Sequence, residues 1–249
     1  MLLSKEIYKV YPIAWIIKSQ VFGDYFSSVE KGSNLLIADF AAGEHDRVPS
    51  FFLNLLANLG TDINLQNRRV VYCTDLHALR LDSLLGKLEE SNLLDNARVI
   101  HAKLETMDND AKFRPSMIEY LKNNQNTMTQ LDHHLLNQQF IPPEAFNIGV
   151  LNNDVVGYLH EYYQEYSNAI ISLQKVHKTL KKGALLIVTM PCSLYVVDNV
   201  KILESVGFQY IDGKDVDISE GFISDLDRSA DPQTLSRLGH YTFMIFIRN

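Results

Sequence analysis

Residues 35–45, Leu-Leu-Ile-Ala-Asp-Phe-Ala-Ala-Gly-Glu-His, constrain the fold more than any other stretch of the chain. An apolar run of strand length meets an acid, Asp39, and then a cluster of small residues. A helix follows, with Phe51, Phe52, Leu55, Leu56 and Leu59 at helical spacing and Gly60 placed to stop it. Strand, small-residue turn and helix in that order open a nucleotide-binding α/β unit. Small side chains let the backbone of the turn approach a ligand, and the helix N-terminus behind it offers unpaired N–H groups.

The pattern repeats downstream. Strands are predicted over 69–75, 97–102, 146–151, 184–190, 208–211 and 241–247, with helical periodicity after the first, third and fourth of these. The helix after the 146–151 strand carries Leu159, Tyr162, Tyr166, Ile170, Leu173, Val176 and Leu180 on one face and ends at Lys181-Lys182-Gly183. Alternation of strand and helix predicts a doubly wound, mostly parallel seven-stranded sheet with helices on both faces. The last two strands are joined by an acidic, loop-like segment over 212–239 and are therefore expected to be antiparallel. Residues 5–30 read as helical with a break at Pro12. They are rich in aromatics, so 1–32 is either a segment packed on the sheet or a lid over a pocket. The polar stretch 108–139 shows no strand pattern and reads as a helical insertion.

The 249 residues suffice for one α/β domain with a substantial core. A net charge of −7 argues against nonspecific binding to nucleic acid or to an anionic membrane. No apolar run reaches membrane-spanning length, and Lys5, Glu6 and Lys9 interrupt any leader-like core. Cys73 and Cys192 sit in or beside apolar runs and read as buried thiols in a reducing compartment, so the expected location is the cytoplasm. His133 and His134 are adjacent, and neighbouring side chains on a helix diverge, so no metal site is expected there.

The turn at 41–45 has one glycine and an acid, Glu44, which disfavours a dinucleotide. No Gly-Lys-Ser/Thr follows it, which disfavours ATP. A cationic or zwitterionic ligand tolerates that carboxylate better. Here the chain resembles the class I S-adenosylmethionine-dependent methyltransferases. The resemblance rests on Asp39 with Ala41-Ala42-Gly43-Glu44-His45, on Asp75 and Leu76 after the second strand, on Leu180-Lys181-Lys182-Gly183 before the fifth, and on Gly207-Phe208 before the sixth. It covers residues 33–249 apart from the insertion. It is carried by the order of weak motifs, not by any one of them.

The resemblance implies S-adenosylmethionine as cofactor and S-adenosylhomocysteine as product. It implies that Asp39, Ala41, Gly43 and His45 face the methionine part and that Asp75 accepts from the ribose hydroxyls. Leu76 and Leu104 belong to the adenine end, with backbone or Glu105 near its amino group, and Asn152 contacts cofactor or acceptor. A plain helix cap is the alternative role for Asp75.

The reacting end is expected where the fourth strand stops, at Asn152-Asn153-Asp154. Asp154 is either a base or the cap of the next helix, and His160 either faces the pocket or packs elsewhere. Tyr11 and Trp15 are candidate substrate contacts from the N-terminal segment. Aromatic walls with few charges favour a small-molecule acceptor. The partners expected are that substrate and, in a permitted arrangement, a second copy of the chain, with neither membrane nor nucleic acid. Two other readings remain: a protein or RNA methyltransferase, and a methyltransferase-like binding or scaffold protein. The second is permitted because Ala41 and His45 stand where the family has glycine.

Overall fold

The computed structural model describes residues 5–58, 67–162, 166–191, 196–228 and 240–249. The chain enters through α1 (Lys5–Val10), a 3-10 helix (Pro12–Lys18) and α2 (Gln20–Ser28). Pro12 opens the 3-10 helix, where its missing N–H costs nothing. The Ser19 hydroxyl caps α2 by accepting from the Phe22 N–H.

The α/β units follow. They are β1 (Leu35–Phe40), α3 (Arg47–Ser50), a π-helical turn (Phe51–Leu55) and α4 (Leu56–Asn58), then β2 (Arg69–Asp75), α5 (Ala78–Glu90) and β3 (Ala97–Ala102). Next come β4 (Ala111–Phe113), α6 (Pro115–Asn123), a 3-10 turn (Gln125–Thr127) and α7 (Gln130–Gln138). The chain continues through β5 (Phe146–Leu151), α8 (Val155–Tyr162), α9 (Tyr166–Thr179), β6 (Leu180–Met190) and α10 (Val196–Ser205). It closes with β7 (Phe208–Asp217), β8 (Phe222–Asp225) and β9 (His240–Arg248). Gly60 and Cys192 lie outside the described residues. No helix among the described residues is long and apolar enough to cross a membrane.

One sheet runs in the order β4-β3-β2-β1-β5-β6-β9-β7-β8. Its central five strands, β3 to β6, are parallel, and β9 lies antiparallel between β6 and β7. The interior strands are buried on both faces, which is why they read as continuous apolar runs. The chain winds outward from β1 in one direction and then returns to lay β5 on its other side. The strand order therefore reverses between β1 and β5, where doubly wound sheets bind ligands.

The sheet has nine strands, two more than the seven that the sequence pattern predicts. Strand β4 lies inside the 108–139 insertion, where no strand is expected. It is three residues long, too short for its buried Ala111 and Phe113 flanking exposed Lys112 to register as a period. Strand β8 falls in the segment 212–239 read as loop, because β7 continues to Asp217 through a bulge near Tyr210–Asp212 and turns back as a hairpin. Strand β6 begins at Leu180, not Ala184. Its register against β5 shifts between the Phe146 and Ile148 pairings, and Gly183 takes the left-handed conformation, φ 76°.

The insertion docks on the sheet through a buried polar cluster. The Arg98 Nε–H donates to Asp132 Oδ2 at 3.0 Å, and both side chains are fully buried. The other Arg98 N–H groups reach the carbonyls of Leu94, Ala97 and Thr127. The Tyr72 hydroxyl donates to Asp132 Oδ1 at 3.0 Å and lies 2.6 Å from Thr129 Oγ1. Thr129 and Asp132 close a reciprocal capping box on α7. Each charge has a partner, so removing one member leaves the other stranded. Asp132→Ala should lose about 3–5 kcal/mol of stability in urea unfolding, and the pair Arg98→Met with Asp132→Leu should lose less than that single change. Equal losses would mean that the pair is ordinary packing.

Candidate functional site

At the reversal of strand order the C-terminal ends of β1, β2, β3 and β5 surround a cavity of about 710 Å³. Its wall is built by four strand-end loops. After β1, Ala41 (φ 58°) and Gly43 (φ 66°) both adopt left-handed backbone, which turns the chain sharply into α3. The Ala42 N–H donates to the Thr74 carbonyl at 2.8 Å, and the Gly43 N–H donates to Asp75 Oδ2 at 3.0 Å. The other oxygen of Asp75 accepts from the His77 N–H at 2.7 Å. A single carboxylate thus pins the β1 and β2 loops together. The loop after β2 is held to β3 through Leu76, whose carbonyl lies 3.0 Å from His101 Nε2.

The fourth loop follows β5. Asn153 and Asp154 are both left-handed, φ 66° each, an uncommon pair for non-glycine residues. Thr189, fully buried on β6, holds them. Its hydroxyl accepts from the Asn153 N–H at 2.8 Å and donates to Asn152 Oδ1 at 2.8 Å, while its carbonyl accepts from the Asp154 N–H at 2.7 Å. The Asp154 carboxylate folds over the first turn of α8. A Cβ at Gly157 would lie 2.5 Å from Asp154 Oδ1, so glycine makes that conformation available. Helix α8 then sends Val155, Tyr158 and Leu159 into the cavity wall.

The electrostatics centre on Asp39, which is 2% exposed. Burial, and next the nearby Asp75 carboxylate, push its carboxyl well above the usual range. Burial first, then Asp39 and Asp46, push the Cys73 thiol well up as well, which leaves it unreactive.

The structure brings Asp39, Ala41, Gly43, His45, Asp75, Leu76, Leu104, Asn152 and Asp154 to one cavity. It does not bring Tyr11 and Trp15 there. Trp15 is 8% exposed and stacks on Tyr8 with ring centroids 4.3 Å apart. Its indole is buried in the core and does not line that cavity. His160 belongs to α8, and its side chain lies outside the described residues. Arg47, His77, Arg80 and Tyr158 also line the wall, and none of them stands out in the sequence. The spacing of Val155, Tyr158 and Leu159 along one helical face is a signal that could have found Tyr158. Thr189 had one too, as a polar residue in an otherwise apolar run. Among the described residues no group of three or more metal-ligating side chains forms.

Comparison with protein-family models gives no match, and comparison with curated proteins gives none either. Solved structures do match. A TehB-like SAM-dependent methyltransferase from Corynebacterium glutamicum ATCC 13032 is 13% identical, with 98% of each chain covered and a TM-score of 0.50. The [4+2]-cyclase SpnF is 11% identical, over 92% of this chain and 80% of that one, also with a TM-score of 0.50. The chain has the class I, Rossmann-like methyltransferase fold. At these identities the likeness is one of fold.

Because the Asp39 carboxyl is raised in the folded state, the native protein holds a proton that the unfolded chain releases at lower pH. Asp39 therefore favours the folded state most below about pH 4, and that contribution falls as pH rises toward its folded value. Asp39→Asn removes the loss. The variant should be more stable than the parent at pH 7, with the gap closing toward pH 4. Urea unfolding across that range checks it, and a gap that does not depend on pH would refute the assignment.

Proposed function

We propose that the chain is an S-adenosylmethionine-dependent methyltransferase acting on a small-molecule acceptor. The observation that carries this reading is the buried Asp39 carboxyl at the cavity floor, beside a second acid. Such a floor rejects phosphates and welcomes a cation. S-adenosylmethionine carries a sulfonium and an ammonium, and when bound it supplies a methyl group already activated for transfer.

The residues fit that group. Asp39 and the turn Ala41–His45 would hold the amino-acid part. A carboxylate offers about four acceptor positions. Asp75 uses two of them on backbone N–H groups and keeps two for a pair of ribose hydroxyls. Leu76, 41% exposed, and Leu104 flank the adenine end. Asn152, Asp154 and Tyr158 bound the acceptor end, where the protein's work is to align the acceptor and exclude water. Asp154 immediately precedes α8, with its carboxylate against Gly157.

Calorimetric titration with S-adenosylmethionine and S-adenosylhomocysteine tests the reading. Saturable one-site binding of both is expected. A cation beside Asp39 favours the ionised carboxylate, so S-adenosylmethionine should release protons on binding and bind more tightly as pH rises. Asp75→Ala should weaken both ligands by at least about tenfold.

The turn itself supports a second reading, a methyltransferase-like binding or scaffold protein. Ala41 places a Cβ at a left-handed position where the family has glycine. The SpnF neighbour is named as a cyclase, so the fold hosts other work. A folded protein that binds neither ligand would establish this reading over the first.

A further inference from the structure

Thr189 fixes more than the backbone of the 152–154 loop. Its hydroxyl has one proton, which it donates to Asn152 Oδ1, and its oxygen also accepts from the Asn153 N–H. The Asn152 amide is thereby locked with its NH2 group directed away from Thr189, on a side chain that lines the cavity. This end of the wall presents donors.

A cation joins it. Arg47 opens α3, is exposed, and lines the same cavity, and among the described residues it makes no ion pair. Burial pushes the Tyr241 phenol up, and Thr189 and then the Arg47 guanidinium act against that rise. Tyr241 is on β9, beyond β5 and β6 from the β1 turn. Arg47, at the start of α3, and Asn152, just after β5, thus line one cavity. The acid on that side, Asp154, is folded against Gly157. Buried acids thus stand at the ends of β1 and β2, and the Asn152 amide stands beside Asp154 at the end of β5.

We infer that the β5–β6 end of the cavity binds the carboxylate of an anionic acceptor, held by the Arg47 guanidinium and the Asn152 amide, with Thr189 as the residue that positions that amide. A planar carboxylate suits a guanidinium fork paired with an amide donor. The inference rests on the methyltransferase reading for the word acceptor. The cofactor's own carboxylate is the other source of the same chemistry, and the effect of Arg47→Met on S-adenosylhomocysteine binding distinguishes the two.

The test uses the full chain, benzoate and benzamide as matched probes, and S-adenosylhomocysteine, all by calorimetry. With S-adenosylhomocysteine saturating, benzoate should bind at least about tenfold more tightly than benzamide. Arg47→Met should abolish that preference while S-adenosylhomocysteine affinity stays within about threefold. Thr189→Val should weaken benzoate by about tenfold, and Thr189→Ser, which restores the hydroxyl, should recover it.

Equal or absent binding of the two probes would overturn the inference. So would an Arg47→Met variant that loses S-adenosylhomocysteine, since the carboxylate served would then be the cofactor's. If S-adenosylhomocysteine fails to bind and benzoate still binds through Arg47, the anion site stands and the methyltransferase reading falls.

Discussion

The site depends on the carboxylate of Asp75. It ends β2, and its two oxygens take the Gly43 N–H from the loop of one strand and the His77 N–H from its own. Parallel strands that end side by side leave their following loops unsupported, because no hairpin joins them. One buried acid closes that gap. It fixes the left-handed turn at Ala41 and Gly43, and through that turn the direction in which α3 leaves β1 and the place where Arg47 stands. The Thr189 hydroxyl performs the same service on the other side of the reversal. The cavity is thus framed by two polar side chains that bond to backbone.

Placing polar groups at this depth has a cost that the fold absorbs elsewhere. Asp39 is buried with no offsetting cation among the described residues, and Asp75 raises its carboxyl further. Against this stand the apolar strands, buried on both faces, and the satisfied cluster of Arg98, Asp132, Tyr72 and Thr129 at the docking surface of the insertion. The contrast is instructive. In the cluster every charge and hydroxyl has a partner, as structural networks require. At the cavity floor no cation offsets Asp39 among the described residues, and the proposal of a cationic ligand rests on that.

Much of this was legible in the sequence. The parallel strands were visible because burial on both faces leaves uninterrupted apolar runs such as Val70–Cys73 and Ile148–Leu151. Asp39, Asp75 and Asn152 were legible because each sits where such a run stops. Strands β4 and β8 were not, since three or four residues at a sheet edge carry no period. Trp15 misled for a different reason: an aromatic in an N-terminal helix looks alike in sequence whether it stacks on Tyr8 in the core or covers a pocket. Arg47 and Thr189 escaped because their roles depend on neighbours from distant strands.

The place of β9 bears on how the molecule is assembled. It follows β7 and β8 in sequence, yet it sits between β6 and β7 and joins the β7–β8 hairpin to the rest of the sheet. During vectorial synthesis β7 and β8 therefore emerge before the strand that anchors them. The hairpin must wait, with its β9-facing edge unpaired, until residues 240–248 arrive and insert. Sheet closure is accordingly a late, long-range event. The β1–β2–β3 side, complete by residue 102, can form well before it.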